Sequence, residues 1–289
     1  MGPVVVAHKK IHSILALLIL FIVLIVELTS CGSLNEMEKN KKNTAHPAPV
    51  SPDLITASDL QHLPQPVANW LEKSGIIGKP HVHRVWLSQE SEMQMSPEKE
   101  KWNSAISEQV FNADDPAFTW QVKMKMGPFN IIRGKDVFEY GKGKMNIRLL
   151  GLFPVVNESG PKIDEGSIQR FLGEISWFPQ AALKAYISWE QIDAHSARAV
   201  IESHGTRGEG TFNFNNEGDF IKFTAMRYRG NEVDADRKEW VIEAKEHTTF
   251  SGIRVPSRLE ATWKLEEGDW TWLKMEVTDI RYNQSRHSL

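Results

Sequence analysis

The segment that decides the fold is FTWQVKMKM, residues 118–126. Apolar residues occupy every second position, and Thr119, Gln121, Lys123 and Lys125 stand between them. Successive side chains of a strand point to opposite faces, so this alternation is typical of a β-strand with one buried face and one solvated face. Such half-buried strands are common in antiparallel sheets.

Strand-like segments of the same kind recur along the chain, separated by turn residues such as Asn216-Glu217-Gly218. Strands that follow strands at this spacing predict an antiparallel meander of roughly eleven strands. The other segments are 82–90, 105–112, 129–139, 145–149, 186–192, 197–203, 209–215, 219–228, 239–250, 257–266 and 270–282.

Two segments have helical spacing instead. The first contains Leu60, Leu63 and Val67 and closes at Ser74-Gly75, a typical C-terminal signal. The second carries Ile168, Phe171, Leu172, Ile175 and Phe178 on one stripe and must end or kink at Pro179, which lacks a backbone donor. A large antiparallel sheet needs its apolar face covered, and these helices are expected to cover it.

Composition excludes several classes of protein. The 289 residues are 41% hydrophobic and 25% charged, which is unlike disordered, collagen-like or disulfide-stapled chains. The net charge of -3 provides no field for a polyanion, so no nucleic acid partner is expected.

One basic and aromatic group is interpreted as a solvated hairpin face, with phospholipid head groups as a further possible contact. It comprises Arg133, Lys135, Phe138, Tyr140, Lys142, Lys144 and Arg148.

The N-terminal region has the features of a secretory signal. Lys9 and Lys10 precede 13 apolar residues at 14–26, a run that is short for a bilayer-spanning helix. The following Leu28-Thr29-Ser30-Cys31 resembles the bacterial lipobox, in which the cysteine is lipidated, although Glu27 departs from the apolar pattern. We expect a lipoprotein held on the exported side of a cell-envelope membrane, inner or outer. The alternative is an uncleaved, single N-terminal transmembrane helix.

These features divide the chain into four parts. Residues 1–30 are expected to be the signal peptide, and 31–57 the lipidated Cys31 with a polar, proline-containing tether. A single β-rich domain is expected over 58–283, followed by a short tail at 284–289.

The domain resembles a bacterial family of uncharacterised exported or membrane-anchored proteins. The resemblance is carried by LPQPV (63–67), SGIIG (74–78), MGP (126–128), RGKDVF (133–138), IRLLGLFPV (147–155), RFLGEISWFP (170–179), GIRVP (252–256) and EVTDIRYN (276–283). Its strand order looks like the lipoprotein-carrier architecture of LolA and LolB. The resemblance implies a mainly β (α+β) fold in which a large curved antiparallel sheet forms a half-barrel, with an N-terminal helix and one internal covering helix. In that architecture the sheet surrounds an acyl-binding cavity.

The internal helix supplies the sharpest candidate site. Arg170 and Glu174 are spaced to form an ion pair and lie beside Trp177, Phe178 and Pro179. If the helix lids a cavity, the last three line its mouth and Arg170 holds a carboxylate or phosphate. The alternative is a plain surface ion pair above a core helix.

Two tryptophans near the C-terminus form a second candidate. Strict alternation places Trp270 and Trp272 on the face opposite Leu273, Met275 and Val277. Apolar area on both faces of one strand suggests that the sheet is curled. The tryptophan pair is therefore expected either under a helix or in a ligand-binding groove.

No enzyme chemistry emerges from the remaining motifs. His81 and His83 share one face of a predicted strand, but no third ligand can be placed, so we expect no metal site and no cofactor. The acidic pairs Asp114-Asp115 and Asp164-Glu165 are interpreted as caps. No catalytic residue is assigned.

The predicted function is therefore non-catalytic binding of a lipid or other apolar ligand in a half-barrel cavity at the cell envelope. Two alternatives from other classes stay open. One is a carboxylate-dependent envelope hydrolase that uses Glu174, and the other is a structural adaptor that binds another envelope protein through its sheet edge. The sequence does not determine the oligomeric state.

Overall fold

The computed structural model describes residues 53–126 and 130–284. The predicted signal peptide, Cys31 and most of the tether lie outside these residues. Within them, no helix combines the length and apolar character needed to cross a membrane. The folded domain begins slightly before the expected boundary at Ser58, because Ile55 is buried and its N–H donates to the Lys79 carbonyl at 2.9 Å.

The described residues form a single antiparallel sheet of thirteen strands in the order β6-β5-β4-β3-β2-β1-β13-β12-β11-β10-β9-β8-β7. The strands are β1 (Arg84–Gln94), β2 (Trp102–Asn112), β3 (Ala117–Met126), β4 (Asn130–Glu139), β5 (Lys142–Leu149), β6 (Phe153–Ser159), β7 (Ile187–Gln191), β8 (Ser196–Ser203), β9 (Thr206–Phe214), β10 (Phe220–Tyr228), β11 (Arg237–Phe250), β12 (Ile253–Leu265) and β13 (Gly268–Tyr282).

This topology consists of two meanders joined in the middle. The first arm, β1 to β6, and the second arm, β7 to β13, meet where β1 pairs with β13, for example at Leu87 and Ile280. The predicted mainly β, half-barrel fold with covering helices is confirmed. The strand β6 was not predicted, because most of its residues are exposed and the segment therefore lacks an apolar alternation.

The N-terminal helix, α1, spans Gln65–Ser74 and follows a 3₁₀ turn at Ala57–Leu60. Its Val67, Trp70 and Leu71 are buried, as the helical spacing predicted. The helix ends at Gly75, whose φ of 75° is a left-handed conformation that glycine adopts without steric cost.

The internal helix, α2, spans Pro161–Glu174 and continues into 3₁₀ segments at Ile175–Trp177 and Pro179–Leu183. It contacts β5 of the first arm and β9 of the second, so the sheet curls around it. Glycines on β5 and β9 allow α2 to approach both strands closely. A Cβ on Gly143 would lie 2.8 Å from the Ile163 carbonyl oxygen, and one on Gly208 would lie 2.8 Å from Ile168 Cγ2.

A polar contact fixes the start of α2 on the first arm. The buried Asp164 carboxylate accepts a hydrogen bond from the Gly143 N–H at 2.8 Å and one from Lys142 Nζ at 3.0 Å. Because Asp164 also lies in the first turn of α2, its charge interacts favourably with the helix dipole.

The core occupies the inner, concave face of the sheet. Its main cluster joins Phe111, Phe118 and Phe138 of the first arm to Ile168 and Phe171 of α2. A second apolar cluster lies on the inner face of the central strands and comprises Met93, Ala105, Val122, Met124, Ala261 and Leu273.

Substitution of Gly143 tests the packing of α2 against the first arm. Gly143→Ala is expected to lower the free energy of unfolding by about 1–3 kcal/mol, because the added methyl group meets the backbone of α2. Urea denaturation of the full chain, followed by tryptophan fluorescence, measures the change. The neighbouring exposed Lys144→Ala is the control and should stay within about 0.5 kcal/mol of wild type. Equal denaturation midpoints for all three proteins would contradict this packing.

Candidate functional site

Arg170 and Glu174 form the predicted ion pair, but the pair is not on the surface. Arg170 Nε donates to Glu174 Oε1 at 2.8 Å, and its Nη1 donates to Asp136 Oδ2 of β4 at 2.6 Å. Gln109 Nε2 of β2 donates to Glu174 Oε2 at 2.8 Å. The Arg170 and Glu174 side chains are only 17% and 6% exposed. The plain surface ion pair is therefore wrong, because the curled sheet encloses the polar side of α2 as well.

Aromatic rings lie beside these four residues, which we call the Arg170 cluster. The Arg170 guanidinium carbon is 4.8 Å from the centre of the Phe118 ring and 5.0 Å from that of Trp120. Both distances are within the range of cation–π attraction. The cluster thus lies between α2 and the inner face of β2, β3 and β4.

Burial dominates the electrostatics of the Arg170 cluster. It raises the pKa of Glu174 and that of Asp136 above their ordinary values, although the Arg170 charge acts in the opposite direction. Burial also disfavours the charged form of Arg170, but the carboxylates of Glu174 and Asp136 outweigh it and leave the pKa of Arg170 raised. Asp136 Oδ1 is buried and has no hydrogen-bond partner among the described residues.

Trp177, Phe178 and Pro179 do not line a mouth, contrary to the expectation. All three are buried, and the Phe178 ring packs 4.6 Å from that of Phe111. The Trp177 carbonyl accepts a hydrogen bond from the Tyr282 hydroxyl at 2.7 Å. The reason is that the chain continues past α2 in 3₁₀ turns, which keep this segment against the main core.

Trp270 and Trp272 do not lie on the face opposite Leu273, because a β-bulge interrupts the alternation. The pairing of β12 with β13 shifts register between Ala261 and Thr262, and Trp270 then pairs with Trp263. Since Trp263 packs against the main core, Trp270 belongs to the inner face too. Trp272 packs against the second cluster, of which Leu273 is a member.

The inner face also contains a row of apolar side chains that remain partly exposed. We call this row the inner trough. In the first arm, cross-strand pairing places the members on the same face as the buried Gly134 and Asp136. In the second arm, the members lie beside the main core. The members are Trp120, Ile132, Met145, Ile147, Leu149, Trp263 and Trp270.

Sequence reasoning missed the partners of Arg170. Gln109 on β2 and Asp136 on β4 both occupy inward positions, two residues before the buried Phe111 and Phe138 respectively. A polar residue at an inward position was the available signal, since buried polar groups need partners. Nothing in the sequence says which residues across the sheet supply those partners.

The outer face is charged and mixed in sign. The predicted basic hairpin face is exposed there, with Lys135 and Lys144 on β4 and β5, whereas Phe138 is buried on the inner face. Shallow grooves on this outer side combine basic residues with Glu90 and Glu276. Such a surface is typical of solvated strands, although the exposed Ile106 adds apolar area to both grooves.

The histidines also have an ordinary structural environment. His83 Nδ1 lies 2.9 Å from Asp114, and the His81 carbonyl accepts a hydrogen bond from Asn283 at 2.8 Å. No group of three His, Cys, Asp or Glu side chains within 53–126 and 130–284 has a geometry that could hold a metal ion.

The buried carboxylate of Glu174 predicts a specific pH dependence. Its pKa is raised above the ordinary 4.5, so its stabilising effect is complete below that value and is lost as the pH rises through the folded-state pKa. Glu174→Gln cannot ionise, so wild type should lose stability relative to this variant as the pH rises from 4.5 towards neutrality. Urea denaturation across that range measures the difference.

The exposed Glu202→Gln is the control, and its stability should follow that of wild type at each pH. The opposite trend, in which wild type gains stability over Glu174→Gln as the pH rises, would show that Arg170 overcomes the cost of burial and would contradict this assignment.

Comparisons with known proteins give a fold relative and a family. No curated protein matches the chain. A solved LolA superfamily protein from Nitrosomonas europaea is similar in fold, with 11% sequence identity and a TM-score of 0.42 over 80% of this chain and 95% of that one. A model of a family of unknown function, DUF6544, matches residues 53–275. The chain belongs to the DUF6544 family.

Proposed function

We propose that this protein binds a lipid or other apolar ligand, without catalysis, in the inner trough. The observation that carries the proposal is the partial exposure of seven apolar side chains on the concave face, three of them tryptophans. A long apolar molecule lying on that face removes this surface from water, at roughly 25 cal/mol for each Å² buried. Small-molecule sites are typically lined by apolar side chains with a few polar groups among them.

The hydrolase alternative has less support. A general acid or base needs an oxygen that can reach the substrate. Both oxygens of Glu174 are engaged, one by Arg170 and the other by Gln109. The Arg170 cluster is therefore better suited to holding α2 in place than to proton transfer.

Membrane attachment through Cys31 remains part of the proposal. The lipobox-like sequence before it supports lipidation, and two or three acyl chains hold a protein far more firmly than one. In this account the anchor keeps the trough near the bilayer from which an apolar ligand would come.

The anchor is tested by Cys31→Ser. This change should abolish incorporation of radioactive palmitate into the protein and should leave the precursor uncleaved, as intact mass spectrometry would show. Ser30→Ala, which leaves the thiol in place, is the control and should label normally. Unchanged palmitate incorporation in Cys31→Ser would exclude lipidation at this residue.

Ligand binding is tested by photolabelling of the full chain in membranes with a diazirine-containing fatty alcohol. Labelling should be saturable and should map to strands of the inner trough. Ile147→Glu places a charge in the trough and should raise the half-saturation concentration by at least about tenfold, equivalent to about 1.4 kcal/mol. Ile106→Glu on the outer face, where Ile106 is 57% exposed, is the matched control. Labelling that does not saturate, or that is unaffected by Ile147→Glu, would contradict the proposal.

A further inference from the structure

Arg227 is a half-buried cation that does not belong to the Arg170 cluster. It lies on the same face of β10 as the inward Phe223 and Ala225. Its Nε is buried and has no hydrogen-bond partner, and Arg227 makes no ion pair with any residue of 53–126 or 130–284. Its guanidinium carbon instead lies 4.1 Å from the centre of the Trp240 ring and 5.9 Å from that of Trp263.

The environment of Arg227 leaves its charge under-compensated. Burial lowers the pKa of Arg227 to about 10, so the side chain is still cationic at neutral pH. A cation–π contact offsets only part of the cost of removing a guanidinium from water. Asp136 and Glu174 act on Arg227 only at a distance, because both carboxylates bond to Arg170.

The helix α2 is shaped to leave room for this guanidinium. Gly166 of α2 faces Arg227, and a Cβ at that position would lie 3.2 Å from Arg227 Nη2. Glycine inside a helix is less favourable than alanine. The glycine thus makes room for the guanidinium itself, at some expense to the helix.

The charged group and the apolar lining are contiguous. The Trp263 ring centre lies 5.9 Å from the Arg227 guanidinium carbon, and Trp263 is also a member of the inner trough, where it pairs with Trp270. A guanidinium can bind a carboxylate or a phosphate through two parallel N–H donors. One end of the trough therefore offers an anion-binding group, and the rest offers aromatic and aliphatic surface.

We propose that Arg227 binds the anionic head, a carboxylate or a phosphate, of an amphiphile whose hydrocarbon part lies in the inner trough. This assignment rests on the proposed function and adds the chemical class of the ligand. The surrounding charges permit it. Two arginines, Arg170 and Arg227, lie near two carboxylates, Asp136 and Glu174, and both carboxylates bond to Arg170.

The test compares two probes of equal chain length on the full chain in membranes. One is a diazirine-containing fatty acid and the other is the matching fatty alcohol. In wild type the acid should half-saturate labelling at a concentration at least about tenfold lower than the alcohol. Arg227→Met should abolish this preference and leave labelling by the alcohol. The control is Arg207→Met, since Arg207 is an exposed residue of β9 paired with Glu202 and Glu209, and it should keep the preference.

The outcomes separate the two proposals. Saturable labelling by both probes with equal affinity in wild type, or full acid preference in Arg227→Met, would overturn the role of Arg227 and leave apolar ligand binding intact. Absence of saturable labelling by either probe would overturn both. If Arg227→Met loses labelling by both probes, Arg227→Lys is the deciding variant. Lysine has a point charge without the two-donor fork, so this change should weaken the preference for the acid over the alcohol. An undiminished preference for the acid would contradict the assignment. Competition by palmitate and by hexadecyl phosphate then distinguishes a carboxylate head from a phosphate head.

Discussion

The packing of α2 against both arms of the sheet is the constraint on which the rest of the structure depends. Gly143 and Gly208 let one helix contact strands from opposite arms, and Asp164 bonds its first turn to the backbone of β5. The same helix carries Arg170, which joins β4 to the end of α2 through Asp136 and Glu174. Displacement of α2 would therefore disrupt both the curvature of the sheet and the Arg170 cluster.

Local periodicity predicted most of the elements because burial on one face imposes it. The segment 118–126 is an inward-outward strand in the structure, and Ser74-Gly75 ends the first helix as expected. The edge strand β6 was missed because it is largely exposed and has no apolar face to reveal it. The faces of Trp270 and Trp272 were wrong because a single bulged residue reverses the alternation, and no periodicity rule anticipates a bulge.

The candidate site divides in the same way between local and long-range information. The Arg170–Glu174 pair follows from helical spacing alone. Its burial and its bonds to Gln109 and Asp136 depend on how distant strands curl around α2, which the sequence does not specify. Arg227 was overlooked for a related reason, since a charged residue at an inward position of a strand can be recognised as unusual only when its neighbours are known.

The central claim is that the inner trough holds an amphiphile. The most direct measurement is an experimental structure of the full chain purified from its own membranes without added ligand. Elongated density is expected along Ile147 and Trp263 on the concave face, ending in a head group within hydrogen-bonding distance of Arg227. A trough occupied by the protein's own side chains, with Arg227 bonded to one of them, would contradict it.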